Sequence, residues 1–448
     1  MCIRDSRITY NYDNRYFVEG NFGYNGSENF SPNHRFGFFP SIAVGYVVSN
    51  EKFFAPIRDV VSMVKLKASY GLVGNDQIGG DRRFIYNETV IGGGKYYFGT
   101  TPSQYTSVRL GEFPNPNVGW EKAKKLNLGA DLSFFNQLNI SVDYFKENRE
   151  GIFLQRKSIP MYVGLSTKPW VNIGKMRNSG IDASLEYHQP LGKDLHLTVR
   201  GNFTYARNRI MDQDEPDYAY TYMNHSGQMQ WQKFGLVAAG LFQDQEDIDS
   251  WAKQSFGEVK PGDIKYLDLN GDGIVDNYDT KPIGYSDIPE IVYGFGFSLQ
   301  WKAFDLSAFF QGVAHVSFST LTDQTQAFVG RNLKESSVFA DLYGNTWTPE
   351  NPGAKYPRMT TGAIDNNNQL STFWMANGRY LRLKNLELGY TLPKRIANKI
   401  AMQSLRVYLS GVNLFTFSPF KLWDPDLQTG ATNYPNNRII NLGLTIGF

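Results

Sequence analysis

The stretch DLNGDGIVDNYD, Asp268 to Asp279, concentrates side chains of the kind that bind a hard cation. Carboxylate or amide oxygens occupy its positions one, three, five, nine and twelve, and Gly273 occupies position six, which is the spacing of a calcium-binding loop. The predicted ligands are the side chains of Asp268, Asn270, Asp272, Asp276 and Asp279 and the backbone carbonyl of Ile274.

The same residues also suit a turn without metal, because Asp, Asn and Gly are all favoured in turns. Asp279 is shorter than the Glu usually found at position twelve, which weakens a bidentate grip on calcium. The preceding PGDIKY is predicted to be extended, and the following TKPIGY contains a proline, so no helices flank the loop. We therefore expect a structural calcium ion that orders its own connection, with the metal-free turn as the alternative.

The composition indicates a strand-rich chain without disulfide bonds. Its 448 residues include 43 Gly, 32 Phe and 27 Tyr, a mixture that favours strands and turns over helices. The net charge of +2 does not predict nucleic-acid binding. Cys2 is the single cysteine, so neither an intrachain disulfide nor a cysteine-based metal site is expected. The first six residues lack the apolar region of a signal peptide and look extraneous to the strand that follows.

Apolar and polar residues alternate along much of the chain. In IVYGFGFSLQW, Ile291 to Trp301, the odd positions are apolar and four even ones carry Gly, Ser or Gln. About thirteen such segments of roughly ten residues occur, which is the length of a tilted strand that crosses a bilayer. Asp143, Glu186 and Arg200 are expected on the polar face. The other segments are LNISVDY, LHLTVRGNFTY, the C-terminal run to Phe448, and runs near 16–25, 37–49, 62–73, 119–135, 179–189, 304–316, 379–393 and 404–416.

The connections between these segments alternate between short and long. Short periplasmic turns and long extracellular loops are typical of outer-membrane barrels. With the terminal aromatic Phe448 at the inner end, every long connection is predicted to lie outside. The sequence therefore predicts an all-β fold, part of an antiparallel transmembrane β-barrel with long extracellular loops. The longest loop, 208–290, contains the calcium-loop-like segment 268–279; the other long connections are about 26–36, 74–118, 148–178, 317–378 and 417–436.

Motifs along almost the whole chain resemble the SusC/RagA family of TonB-linked outer-membrane transporters. Residues 7–448 are similar to the C-terminal portion of that family's barrel, and the plug domain, TonB box and first barrel strands are not among them. The motifs include RFGFFPSIAVGYVVSNEKFF, NPNVGWEKAKKLNLGADLSFFNQLNISVDYFKE, VNIGKMRNSGIDASLEY, PGDIKYLDLNGDGIVDNYD, WTPENPGAKYPR, RYLRLKNLELGYTLP and LRVYLSGVNLFTFSPF.

The resemblance implies import of large nutrients, either glycan oligomers or peptides, across the outer membrane. It also implies a SusD-like surface lipoprotein over the outer mouth, and energy supplied by TonB through the plug.

Two other functions stay open: a TonB-dependent receptor for metal chelates, which WTPENPGAKYPR disfavours, and a soluble calcium-dependent glycan-binding β-protein. No catalytic motif stands out, so an enzyme is not expected. Aromatic residues of the long connections are expected either to contact substrate or to pack the loops together. They are Trp231, Trp251, Trp347, Trp374, Tyr218, Tyr220 and Tyr222.

Overall fold

The main element of the fold is an antiparallel sheet in which each strand lies beside the one before it in the chain. The computed structural model describes residues 2–79, 82–100, 103–165, 167–322, 339–360, 362–400, 402–430 and 433–447. Among these residues the sheet has thirteen strands, the number expected from the alternation. They are Cys2–Tyr12, Tyr16–Gly26, Phe36–Val47, Val61–Asn75, Glu121–Phe134, Leu138–Gln155, Trp170–Pro190, Leu195–Asp212, Ile291–Trp301, Phe304–Ala314, Tyr380–Thr391, Ser404–Phe417 and Ile439–Gly447.

The apolar face of the strands is exposed to the surroundings of the chain. Ile8 and Tyr10 of the first strand are 71% and 62% exposed, and Ile440 and Leu442 of the last strand are 67% and 79% exposed. Soluble proteins bury such faces against another layer, whereas a membrane barrel presents them to lipid. The predicted two-sided strand pattern is therefore confirmed. Phe448, which was expected at the inner end of the barrel, lies outside the described residues.

Most connections alternate in length as predicted, but the connection 48–60, expected to be short, is longer than 27–35, expected to be long. Several strands are also longer than their alternation indicated. The strand from Leu138 continues to Gln155, and the next one begins at Trp170 rather than near 179. Leu195–Asp212 runs beyond 208, so the longest connection begins after Asp212. The first strand begins at Cys2, within the residues that looked extraneous, and its backbone pairs with that of the second strand from Cys2 onward.

Contacts divide the chain into two compact units. One comprises Met1–Ala183 with Ala206–Asp217, and the other comprises Ser184–Tyr205 with Tyr218–Phe448. The first unit contains a small apolar core between its connections, formed by Phe30, Ile78, Ile85 and Val118. It also contains a two-stranded hairpin, Val90–Phe98 with Ser103–Leu110, within the predicted long connection of about 74–118, where no strand was expected.

Short elements fill the long connections of the second unit. None of the helices in the described part of the chain has the length and apolar character needed to cross a membrane. The paired short strands are Lys233–Gly235 with Lys281–Ile283, Ala238–Leu241 with Ile264–Tyr266, Lys253–Gln254 with Ile274–Val275, and Ser317–Ser319 with Met375–Asn377. Across both units, the helices among the described residues are the short α-helices Gln245–Asp249 and Lys394–Ala397 and the 3₁₀ turns Val48–Asn50, Lys52–Ile57, Met161–Val163, Thr221–Met223, Asn277–Asp279, Ala340–Leu342, Asn398–Ile400 and Pro425–Leu427.

Candidate functional site

The described parts of the connections 213–290 and 315–379 pack around a shared hydrophobic core. Ile264, Tyr266 and Val275 are fully buried in it, and Trp347 and Trp374 are 9% and 4% exposed. Trp347 and Trp374 therefore pack the loops together, which is one of the two roles expected for the aromatic residues of the loops. We call this body the outer-loop core, after the predicted location of its connections; its other buried members are Leu236, Leu241, Leu342 and Tyr356.

A buried ion pair joins the two connections of the outer-loop core. Asp263 is fully buried, and its carboxylate lies 2.8 Å from Nε of Arg358. The same carboxylate accepts hydrogen bonds from the Asn367 side chain at 2.9 Å and the Lys260 backbone N–H at 2.8 Å. A buried carboxylate is stable only when it is paired and hydrogen-bonded in this way. Asp263 and Arg358 therefore connect segments that are far apart in the sequence.

The calcium-loop-like segment lies at the edge of the outer-loop core and is built from side-chain-to-backbone hydrogen bonds. Asp268 accepts from the backbone N–H groups of Gly271 at 2.7 Å and Gly273 at 2.8 Å. Both glycines have positive φ angles, +78° and +85°, which residues with a Cβ rarely adopt. Asn270 accepts from the backbone of Asp272 at 2.9 Å, and this repeated pattern curls the chain tightly.

The second half of the segment closes onto a buried carboxylate. Asp279 is fully buried, and it accepts from the backbone N–H groups of Leu269 at 2.7 Å and Asp276 at 2.8 Å. Asp276 caps the turn by accepting from the backbone of Tyr278 at 2.7 Å. Asp279 thus ties the end of the segment back to its start.

The predicted carbonyl ligand lies in a short parallel pairing with Lys253–Gln254. The carbonyls of Gly273 and Val275 accept from the backbones of Lys253 and Ser255, each at 3.0 Å. Since carbonyls alternate in direction along a strand, that of Ile274 points away from this pairing. Ile274 itself donates its N–H to Asp272 at 2.9 Å.

All six predicted ligands therefore lie in one curled segment, but their carboxylates mainly accept backbone hydrogen bonds. Within the described residues, no three His, Cys, Asp or Glu side chains are placed to hold a metal ion. A metal-free acidic turn has this geometry, and so does a calcium-binding loop whose side chains rearrange slightly when the ion binds. Calcium binding at Asp268 to Asp279 stays a prediction.

Two tyrosines from outside the segment contact its second half at Tyr278. The Tyr222 hydroxyl donates to the backbone carbonyl of Tyr278 at 2.7 Å, and the rings of Tyr220 and Tyr222 stack with centroids 5.4 Å apart. Burial, followed by the negative charge of Asp279, raises the pKa of the Tyr222 hydroxyl, which therefore stays protonated as a donor. Tyr278 is half exposed, so the segment presents one ring of this cluster to solvent.

Ion pairs occupy the polar face of the sheet. Asp143, expected there, lies 3.4 Å from the Lys67 ammonium, which also contacts Asp131 at 2.7 Å. The expected residues Arg200 and Glu186 pair with each other at 2.9 Å. Such pairs are stable only where water or other polar groups reach them, which distinguishes this face from a dry core.

One buried arginine was not predicted from the sequence. Arg382 is 1% exposed, and its guanidinium contacts Asp424 and Asp426 of the connection 418–438. Its Nε donates to Thr416 at 3.0 Å, so strand and connection are joined at one point. The motif RYLRLKNLELGYTLP contains this residue, but only the fold brings the two aspartates to it.

Known proteins share both the sequence pattern and the fold. Residues 6–414 match the family described as TonB dependent receptor-like, beta-barrel. TonB-dependent receptor P3 of Formosa agariphila is 30% identical, over 99% of this chain and 45% of its own length. TonB-dependent receptor SusC of Bacteroides thetaiotaomicron is 27% identical, over 99% of this chain and 43% of its own length. The chain spans about half the length of these relatives.

A solved structure of the RagAB peptide importer in the 'open-open' state aligns with all of the chain. Its TM-score is 0.77 at 22% identity, and the alignment covers 100% of this chain and 46% of the importer chain. At that identity the likeness concerns the fold, which is the barrel fold of this family.

Proposed function

Because the chain belongs to the TonB-dependent receptor-like β-barrel family, we propose that it forms the C-terminal part of an outer-membrane importer for large nutrients. The cargo would be a glycan oligomer or a peptide. The match of residues 6–414 to the family carries this proposal. Members of the family are outer-membrane proteins, so the exposed apolar face of the strands contacts lipid. That location decides against a soluble glycan-binding protein.

The polar face would line the passage for the cargo. Ion pairs on this face, such as Lys67 with Asp131 and Arg200 with Glu186, would place charged groups along the water-filled passage. No step of reaction chemistry is needed, since the relatives are named as receptors. Selection of the cargo would fall to the outer connections and to a SusD-like lipoprotein that covers them.

The outer-loop core supports a rim of fixed shape. A connection of such length without a core would sample many conformations, and ordering it on each binding event would cost free energy. Ile264, Tyr266 and Trp374 instead hold the two connections as one folded body. A partner lipoprotein would then meet a preformed surface. The predicted calcium ion would add to this order at Asp268 to Asp279.

Purification of the full-length parent protein from outer membranes tests the proposed partner and cargo. We expect a surface lipoprotein to copurify in equal amounts, and a glycan or peptide to be released on denaturation. Release of a small metal chelate instead would favour the metal-chelate receptor, and purification without any lipoprotein would contradict the proposed partner.

A further inference from the structure

Three cations extend the apolar face of the sheet toward the long connections. Lys146 lies two residues beyond the exposed Tyr144 on the strand Leu138–Gln155, so both side chains point to the apolar side. Lys122 pairs with Glu150 on the neighbouring strand, still on the same side and further along. Together with Arg177 we call these residues the cation ladder.

Arg177 occupies the level between the two lysines. Its Nε donates to the side chain of Asn148 at 3.1 Å, and Asn148 lies midway between Lys146 and Glu150 on their strand. Two residues of a strand span about 7 Å, so the three levels extend over about 14 Å. A single small anion reaches one level of the ladder, whereas a head group with several anionic groups reaches all of them.

The cations of the ladder lack ion-pair partners among the described residues. Glu150 is occupied by Lys124, whose ammonium lies 2.9 Å from it. Within the described residues, no carboxylate lies within 4.0 Å of the ladder's three cationic groups. The ladder therefore presents net positive charge directly beside the lipid-facing apolar surface.

A cleft of about 520 Å³ opens at the far end of the ladder, and Lys122 forms part of its wall. Phe36 and Phe38, exposed by 50% and 55% on the apolar face, line the same cleft. His34 and Asn117 add polar groups from the connections. Glu150 also lines the cleft, but its carboxylate is paired with Lys124, so Lys122 supplies the unpaired charge there. Apolar rings, polar groups and a cation without an ion pair among the described residues suit the junction of a lipid's head group and its acyl chains.

We infer that the cation ladder and this cleft bind the head group of an outer-leaflet lipid that carries more than one phosphate or carboxylate. The site continues the lipid-facing surface, and its charge complements an anionic head group. The distance that its cations span is greater than the size of a single anion. The inference rests on the proposed function in one respect, since it requires that the long connections lie outside. It adds a lipid ligand that stabilises the barrel at the level of the outer leaflet.

The test uses the full-length parent protein in detergent, with bisphosphorylated lipid A as the probe and native mass spectrometry as the readout. The combined variant Lys122→Gln, Lys146→Gln and Arg177→Gln removes the ladder. The control variant Lys52→Gln, Lys193→Gln and Lys302→Gln removes the same charge from the short turns. Resistance to unfolding in detergent shows whether each variant is folded. If the combined variant does not fold, the single variant Lys146→Gln is tested in its place.

We expect the combined variant to lose about 100-fold in affinity and Lys146→Gln about fivefold, since each surface cation contributes about 1 kcal/mol. The control should bind lipid A like the unchanged protein, and dephosphorylated lipid A should bind weakly to all. Equal binding by the folded ladder variant would overturn the inference, as would full displacement of lipid A by millimolar inorganic phosphate. Nutrient uptake is measured separately, so lost lipid binding with normal uptake leaves the proposed function standing.

Discussion

Replacement of Asp263 by Asn should open the outer-loop core without unfolding the sheet. The substitution keeps the shape of the side chain but removes the charge that pairs with Arg358 at 2.8 Å. The Arg358 side chain is only 21% exposed, so its charge would remain largely buried without a counter-ion. Removal of one partner from a buried pair costs about 3–5 kcal/mol.

Hydrogen–deuterium exchange on the full-length parent protein measures this cost. A loss of about 3 kcal/mol in the free energy of local opening corresponds to exchange on the order of 100-fold faster. We expect this acceleration in Ala238–Leu241 and Ile264–Tyr266, the paired strands of the outer-loop core. The strands of the main sheet should keep their protection, because their hydrogen bonds do not involve Asp263.

The matched control is Glu258→Gln, which removes a carboxylate from an exposed pair in the same connection. Glu258 lies 3.9 Å from Lys260 and its side chain is 84% exposed, so its loss should change stability by less than about 1 kcal/mol. Equal exchange in the Asp263→Asn and Glu258→Gln variants would refute the reasoning that the buried pair holds the two connections together.

Three further outcomes are expected. Val142→Arg should impair folding into bilayers, because a midplane arginine on the lipid face costs about 2–4 kcal/mol, whereas Ser141→Arg on the polar face should be tolerated; equal damage would contradict the assignment of faces. In a Cys2→Ser background, a cysteine at Tyr218 should react with an impermeant reagent on intact cells and one at Lys193 should not; the reverse pattern would invert the orientation. Asp268→Ala should abolish calcium binding measured by calorimetry at millimolar calcium, and no binding by the unchanged protein would identify the segment as an acidic turn.

The thirteen strands could be predicted because lipid on one side and water on the other impose a strict alternation. Where the strands pass beyond the bilayer, both faces meet polar surroundings and the alternation fades. For that reason the ends at Gln155, Trp170 and Asp212 were misplaced. The hairpin that begins at Val90 lies wholly in a connection and carries no such constraint.

The candidate site was predictable only in part. Spacing alone located the segment Asp268 to Asp279, since all its groups are neighbours in the chain. The partners of Asp263 and Arg382 lie far away in the sequence: Arg358 is 95 residues from Asp263, and Asp424 is 42 residues from Arg382. No local sequence pattern predicts such pairs, because only the fold of the connections brings their residues together.

Uptake of labelled oligomers by living cells tests the central claim most directly. Cells that carry the full-length parent protein are compared with cells that lack it and with cells that lack TonB, each offered labelled glycan oligomers and labelled peptides. We predict that one class accumulates inside the outer membrane only when both the parent protein and TonB are present. Accumulation that is equal in all three strains for both classes would contradict the proposal that this chain is part of a nutrient importer.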